Sequence, residues 1–343
     1  MYRPPNVQSC PPCHYQAKEP HGLYQFLVNF ISAPLMGVVV LIESSTATIV
    51  GATGMLALAL SWFMRAKGAN RIAQFGWIAV GLFFFNMAWT YVEHDDIVLT
   101  IMCAITLPLC VGVALWEDNC TQRQREALDW ARGTVAFAGG PYLLIAYVPY
   151  LSVFAIWFVA TQSAWFLGFS GGQEIEVGTT WVNAEGGRVS WSDWDGNRWF
   201  STDFTGEYAF QSELILADGS LIGINFVLAC TALQSMVLFI GAISVLNLHW
   251  KQRVRALILI IPLIHLLNVF RNAGLIWMHM TYTHWDLWGI SVFDFGHTYV
   301  ARVVSLFAMF LMALIMFEIL PTMHRNIVAL SEPFMKTKSK PRR

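Results

Sequence analysis

Apolar residues fall into long runs separated by short polar connections, and this pattern predicts a chain that crosses a membrane repeatedly. An α-helix rises about 1.5 Å per residue, so about 20 apolar residues cross the roughly 30 Å hydrocarbon core of a bilayer. A further apolar piece, 152–168, is predicted to be a re-entrant or interfacial helix, or a continuation of the fifth run. The eight runs of spanning length are 23–42, 46–64, 72–92, 97–116, 133–151, 221–247, 256–279 and 297–320.

Composition agrees with this pattern. Of 343 residues, 56% are hydrophobic and only 13% are charged, whereas soluble domains carry roughly 25% charged residues. The six cysteines (10, 13, 103, 110, 120 and 230) are scattered and mostly lie inside apolar runs, which is not the spacing of a disulfide framework. We therefore expect an all-α polytopic membrane protein with about eight transmembrane helices.

The distribution of lysine and arginine predicts the orientation. Most of the 21 basic residues fall on alternate connections and on the C-terminal tail, and such connections remain cytoplasmic. The prediction is a multi-pass protein of the cell membrane with both termini in the cytoplasm. The connection at 93–96 and the long segment 169–220 then face outward.

The outward segment 169–220 alternates polar and apolar residues and contains turn signals such as Asp195-Gly196-Asn197 and Asp218-Gly219. This predicts a small antiparallel β insert. Its tryptophans either form its own core and an interfacial belt or contact the membrane surface or a substrate chain. The predicted organisation is a cytoplasmic N-terminal segment 1–22, helices one to five with the re-entrant or interfacial helix over 23–168, the insert 169–220, helices six to eight over 221–320, and a basic tail 321–343.

Three reactive side chains interrupt the last three apolar runs. A guanidinium costs roughly 3 kcal/mol at mid-bilayer, so Arg271 is expected to face a protein cavity. Counting along the predicted helices places Cys230 roughly 13 Å deep from the outer surface, Arg271 roughly 8 Å deep and His297 at the boundary. All three thus fall in the outer half of the bilayer and are predicted to form one site.

These side chains suit acyl transfer at a peptide bond. Cys230 is a nucleophile once it becomes a thiolate, His297 can move the proton, and Arg271 can stabilise an oxyanion. Helical spacing predicts that Asn268 and Asn272 share a polar face beside Arg271 and that Gln234 lies one turn below Cys230. This chemistry requires neither a cofactor nor a metal, and none is expected.

The residues around the three side chains resemble the motifs of the archaeosortase/exosortase family, and most of all its archaeosortase A-like transpeptidases. The stretch 227–236, VLACTALQSM, is similar to the nucleophile motif, with Ala232 where glycine is common. The pieces 255–257 (RAL) and 267–272 (LNVFRN) resemble the second motif, and 297–302 (HTYVAR) resembles the third. The resemblance covers roughly 150–321.

This resemblance implies a membrane-embedded cysteine transpeptidase. Cys230 would be the nucleophile, Arg271 the second catalytic residue and His297 the third, with Arg302 as the alternate third residue. Substrates of the family are surface proteins that end in a sorting signal, which is cut on the outer face. The acyl group passes to a membrane lipid or another acceptor.

Two other classes of function are compatible with parts of the sequence. Arg271 could bind an anionic solute in a transporter, although no inverted repeat is evident. The stretch Cys10-Pro11-Pro12-Cys13-His14 resembles half of a metal site or a haem-attachment motif. Glu93, Asp95 and their neighbours could bind a divalent ion or form a solvated loop. No feature indicates a nucleic-acid partner.

Overall fold

The protein, described here from a computed structural model, is mostly helical and carries a small antiparallel sheet. The structure describes residues 44–64, 68–93, 97–171, 173–200, 204, 208–282, 285–287 and 290–335. Within these ranges six helices are long and apolar enough to cross a membrane, which confirms the helical membrane class in this coarse form. The first predicted helix, 23–42, and the Cys10 to His14 motif lie outside the described residues.

The first three described helices form one packed group. Leu58, Ala73 and Trp77 are buried at its centre. The fourth helix begins with a capping box, in which the side chains of Thr121 and Gln124 each accept a hydrogen bond from the other's backbone N–H. The bounds are α1 Ser44–Met64, α2 Ala69–Glu93, α3 Ile97–Trp116 and α4 Gln122–Tyr147.

The fifth helix, α5, spans Pro149–Phe169 and is separate from α4. Val148 between them is extended, with φ −99° and ψ 105°, and proline at the first helical position restarts the helix. The alternative that 152–168 continues the fifth run is therefore wrong. The predicted fifth helix, 133–151, in fact begins at Gln122, because the polar start of α4 packs on neighbouring helices and needs no apolar surface.

Four strands follow α5 and form an antiparallel sheet in the order β2-β1-β3-β4. One face of the sheet packs against α5, with Val182, Leu214 and Phe226 buried between them. The insert is thus confirmed as an antiparallel β element, although it ends six residues later than predicted. The strands are β1 Ile175–Ala184, β2 Gly187–Ser190, β3 Phe210–Leu216 and β4 Leu221–Phe226.

The predicted helix 221–247 is wrong in its first half. Strand β4 occupies the first six residues, a 3₁₀ turn follows at Leu228–Thr231, and the helix α6 covers only Leu233–Val245. In β4, Ile222 and Ile224 face the core while Leu221 is exposed. A short buried strand is apolar enough to be mistaken for the start of a helix, because hydropathy does not distinguish the two.

The remaining elements complete the helical body. Helix α7, Trp250–Thr281, is the longest and contains Pro262. The predicted tail, 321–343, begins with a helix, α10, whose Glu332 lies 3.3 Å from Arg123 of α4. The other bounds are β5 Asp286–Leu287, β6 Ile290–Ser291, α8 Val292–Phe295, a π turn Gly296–Val300, α9 Ala301–Ile319 and α10 Pro321–Met335.

A buried ion pair joins α3 to α4 at one end of the bundle. Glu117 is 0% exposed and Arg132 is 2% exposed, and the two side chains form a double hydrogen bond. Trp77 donates to the same carboxylate at 3.0 Å, while Arg132 also donates to Asn70 and Asp129. The start of α2, the end of α3 and the first part of α4 therefore meet at the same end of the bundle.

We expect Glu117→Ala to destabilise the protein by about 3–5 kcal/mol, because it leaves the buried Arg132 guanidinium without its main partner. The control is Glu126→Ala, which removes an exposed carboxylate of α4, the helix that carries Arg132. This variant should change stability by less than about 0.5 kcal/mol. Thermal unfolding in detergent would measure both. An equal loss in the two variants would contradict the role assigned to the buried pair.

Candidate active site

Cys230 lies in the 3₁₀ turn between β4 and α6, and not within a membrane helix. Its N–H donates to the Val227 carbonyl at 2.9 Å, and the Thr231 hydroxyl donates to the Leu228 carbonyl at 2.7 Å. Ala232 follows with φ +54°, the left-handed conformation that glycine adopts without strain. The predicted depth of Cys230, which assumed nine helical residues before it, is therefore wrong.

Two asparagines of α7 hold the turn in place. The Asn268 side-chain amide donates to the Cys230 carbonyl at 2.8 Å, and the Asn272 amide donates to the same oxygen at 3.0 Å. Both asparagines are buried, with 7% and 3% of their surface exposed. The two lone pairs of one carbonyl are thus both used, which fixes the backbone of the cysteine against α7.

Arg271 lies beside the same asparagines. Its guanidinium donates to the Asn272 side-chain oxygen at 3.3 Å and interacts electrostatically with the Cys230 sulfur. A second guanidinium, Arg302 of α9, interacts electrostatically with Arg271. The Arg271 Nε–H is buried without a hydrogen-bond partner among the described residues. The structure therefore brings Arg271 to the turn that carries Cys230, through their shared partner Asn272.

His297 lies in the π turn just before α9. Its ring stacks on Phe293 with centroids 5.8 Å apart, and Phe293 also packs edge-on against His279 at 5.0 Å. The His279 ring nitrogen is 3.0 Å from the Ile222 carbonyl oxygen of β4. A chain of contacts thus joins His297 to the strand that leads into Cys230. Between the two candidates for the third residue, Arg302 is the one whose positive charge acts on Arg271.

The predicted supporting residues divide into two groups. Asn268 and Asn272 contact the nucleophile's backbone, as described above. Gln234 is exposed on α6, and its amide donates to the Tyr142 hydroxyl at 3.4 Å. It does not lie one helical turn below Cys230 as predicted, because Ala232 in the left-handed conformation interrupts the helix between them.

Sequence reasoning missed His279 and the strand β4 as parts of this region. The signal was present in 222–226, where Ile222, Ile224 and Phe226 alternate with Gly223 and Asn225. Gly223 has φ +86°, a left-handed conformation that favours glycine. In the part of the chain that the structure describes, no group of three or more histidine, cysteine or acidic side chains could hold a metal ion.

Comparison with models of protein families, with curated proteins and with solved structures finds no match to this chain. The function is therefore argued from the site itself and from the motif resemblance.

We expect the double variant Asn268→Ala, Asn272→Ala to free the turn that carries Cys230. Each hydrogen bond contributes about 1 kcal/mol, so alkylation of Cys230 by a maleimide should accelerate at least about fivefold. Mass spectrometry of the peptide that contains Cys230 would give the rate. Asn225→Ala, on the exposed face of β4, is the matched control, and the same acceleration there would refute the anchoring role.

Proposed function

We propose that this protein is a membrane-embedded cysteine transpeptidase of the archaeosortase/exosortase type. The observation that carries the proposal is the placement of Cys230 on a turn anchored by Asn268 and Asn272, with Arg271 donating a hydrogen bond to Asn272. A thiol needs a nearby cation to become a nucleophile and a fixed backbone to attack in one direction. The three motifs of the resemblance would supply these groups from the turn before α6, from α7 and from the π turn before α9.

The reaction would run through a thioester. The Cys230 sulfur attacks the scissile carbonyl carbon while its proton moves to His297, and the oxyanion that forms lies against Arg271. The C–N bond then breaks, and His297 returns the proton to the leaving amine. A nucleophilic group of the acceptor finally attacks the thioester carbonyl and gives its proton to His297. The C–S bond then breaks as the product bond forms, and the proton returns to the Cys230 sulfur. Arg302 supports the oxyanion beside Arg271 and is the alternate third residue.

The substrate would be a surface protein with a C-terminal sorting signal. The sheet and Cys230 lie at one end of the helical body, while the basic connections around Arg132 lie at the other. If the basic end is cytoplasmic, the site faces outward, where secreted substrates arrive. A membrane lipid is the proposed acceptor, because the Cys230 turn is bonded to α7, a helix long and apolar enough to cross a membrane. Water would give hydrolysis through the same thioester.

A transporter of an anionic solute is the second candidate. Two guanidinium groups interact in a membrane protein, and the Nε–H of Arg271 has no hydrogen-bond partner among the described residues. Such a pair would bind an anion. In this case Cys230 would be a structural residue and would not react.

The test is to co-express the chain with a reporter that carries a C-terminal sorting signal. Wild type should remove the reporter's tail helix, Cys230→Ala should abolish removal, and Arg271→Ala should slow it by about 10²–10³-fold through loss of oxyanion stabilisation. Electrophoresis and intact mass would follow the reporter. Cys103→Ala, which removes a buried cysteine of α3, should leave processing unchanged.

Comparing His297→Ala with Arg302→Ala identifies the third residue as the one whose loss reduces processing more. Full processing by Cys230→Ala would remove the proposed mechanism. Anion uptake that depends on Arg271 but not on Cys230, without any processing by wild type, would establish the transporter instead.

A further inference from the structure

Both ends of α5 contact the β insert that follows it. At its start, the Tyr150 N–H donates to the Arg198 carbonyl at 3.0 Å, and the Tyr150 ring stacks on Trp199 with centroids 5.3 Å apart. At its end, Leu167 packs with Ile175, the first residue of β1. The sheet thus lies along the whole length of α5. A helix that crossed the membrane would have only one end in contact with an element outside the membrane.

Helices α4 and α6, which precede and follow α5 in the sequence, also place both ends of this segment on one side of the bundle. Gly133 of α4 lies against Val245 of α6, Gly241 lies against Thr134 and Ala138, and Gln234 bonds Tyr142. As residue numbers increase along α4, the residue numbers of the α6 partners decrease, so the two helices are antiparallel. Helix α6 begins at the end of the bundle where α4 finishes. Everything between them, α5 included, starts and returns on that side.

Large exposed side chains form a ridge along α5 beside the face that the sheet buries, and α7 packs on a further side of the helix through His265 and Phe270. Trp165 is 65% exposed and Phe169 is 76% exposed, so the ridge continues to the last residue of the helix. Such an apolar patch marks an interaction surface. We call it the α5 ridge, and it consists of Leu151, Phe154, Trp157, Trp165 and Phe169, of which the last three also border a groove shared with residues 174–177.

We infer that α5 lies in the plane of the membrane and that the α5 ridge is embedded in the headgroup and acyl boundary of the leaflet on the sheet-bearing side. Aromatic side chains favour this depth. The helix is apolar on every side because it packs on the sheet, on α7 and, along the ridge, on lipid, which is why its composition resembles that of a spanning helix. Its 21 residues also match the length of the ten-residue β1 at roughly 30 Å each.

This arrangement places the catalytic turn at the membrane surface. Strand β4 runs in the sheet that rests on α5, and Cys230 itself packs against the core shared by the sheet and α5. A helix embedded in one leaflet would thus set the depth of Cys230 relative to the headgroups. The inference does not depend on the proposed enzymatic activity.

The experiment measures the depth of nitroxide labels in lipid vesicles. Phe154, Trp157, Trp165 and Phe169 would each be replaced by cysteine in the full chain with its native cysteines changed to alanine, and each variant would be used only if its thermal midpoint matches that of the unlabelled background. Accessibility to oxygen and to a nickel chelate then gives the depth. We expect all four labels at one depth, about 5–10 Å into the boundary.

Labels on α9 provide the matched control. Val303, Phe310 and Ile319 are exposed along that helix, and a spanning helix should place Phe310 deepest, about 10 Å below Val303. If Trp157 proved similarly deeper than Phe169, α5 would cross the membrane and the inference would fail. Labels shielded from both oxygen and nickel would show that protein, such as the segment 23–42, covers the ridge in place of lipid.

Discussion

The backbone carbonyl of Cys230 is the constraint on which the site depends. A short 3₁₀ turn between a strand and a helix leaves carbonyl groups without helical partners, and a buried carbonyl without a donor costs about 1–3 kcal/mol. Asn268 and Asn272 supply two donors from adjacent turns of α7. The same contact that satisfies the carbonyl also brings Arg271, which lies between the two asparagines in sequence, to the cysteine. The hydrogen bonds that satisfy the Cys230 carbonyl therefore also assemble the candidate catalytic pair, Cys230 and Arg271.

The molecule keeps its polar chemistry at two separate ends. At one end the Glu117–Arg132 pair is fully enclosed and hydrogen-bonded on several sides, so its charges are used for packing. At the other end Arg271 and Arg302 interact as like charges, with a buried Nε–H that has no partner among the described residues. Like charges held together are unfavourable unless an anion or a developing negative charge compensates them. This contrast separates a structural ion pair from a candidate reactive site.

The sheet and α5 connect this chemistry to the membrane. Strand β4 enters the cysteine turn directly, and the insert packs on α5 from Tyr150 to Leu167. The His279 contact with Ile222 ties the same strand to α7, and Phe293 extends the contact to His297. Movement of the sheet would therefore reach the nucleophile and the possible proton carrier together, whereas the polar network at the far end would not move with it.

Hydropathy and residue spacing alone determined the membrane class, the approximate positions of α1, α2, α3, α7 and α9, and the β character of the insert. These follow from local pattern, because about 20 apolar residues have few alternatives to a helix in lipid. The motif residues Cys230 and Arg271 were also chosen from sequence. Tertiary structure alone decided that 221–226 is a strand, that Ala232 breaks the helix after Cys230, and that α5 touches the sheet at both ends. Those outcomes depend on which distant groups pack together, and an apolar segment has the same hydropathy whether it is covered by lipid, by a helix or by a sheet.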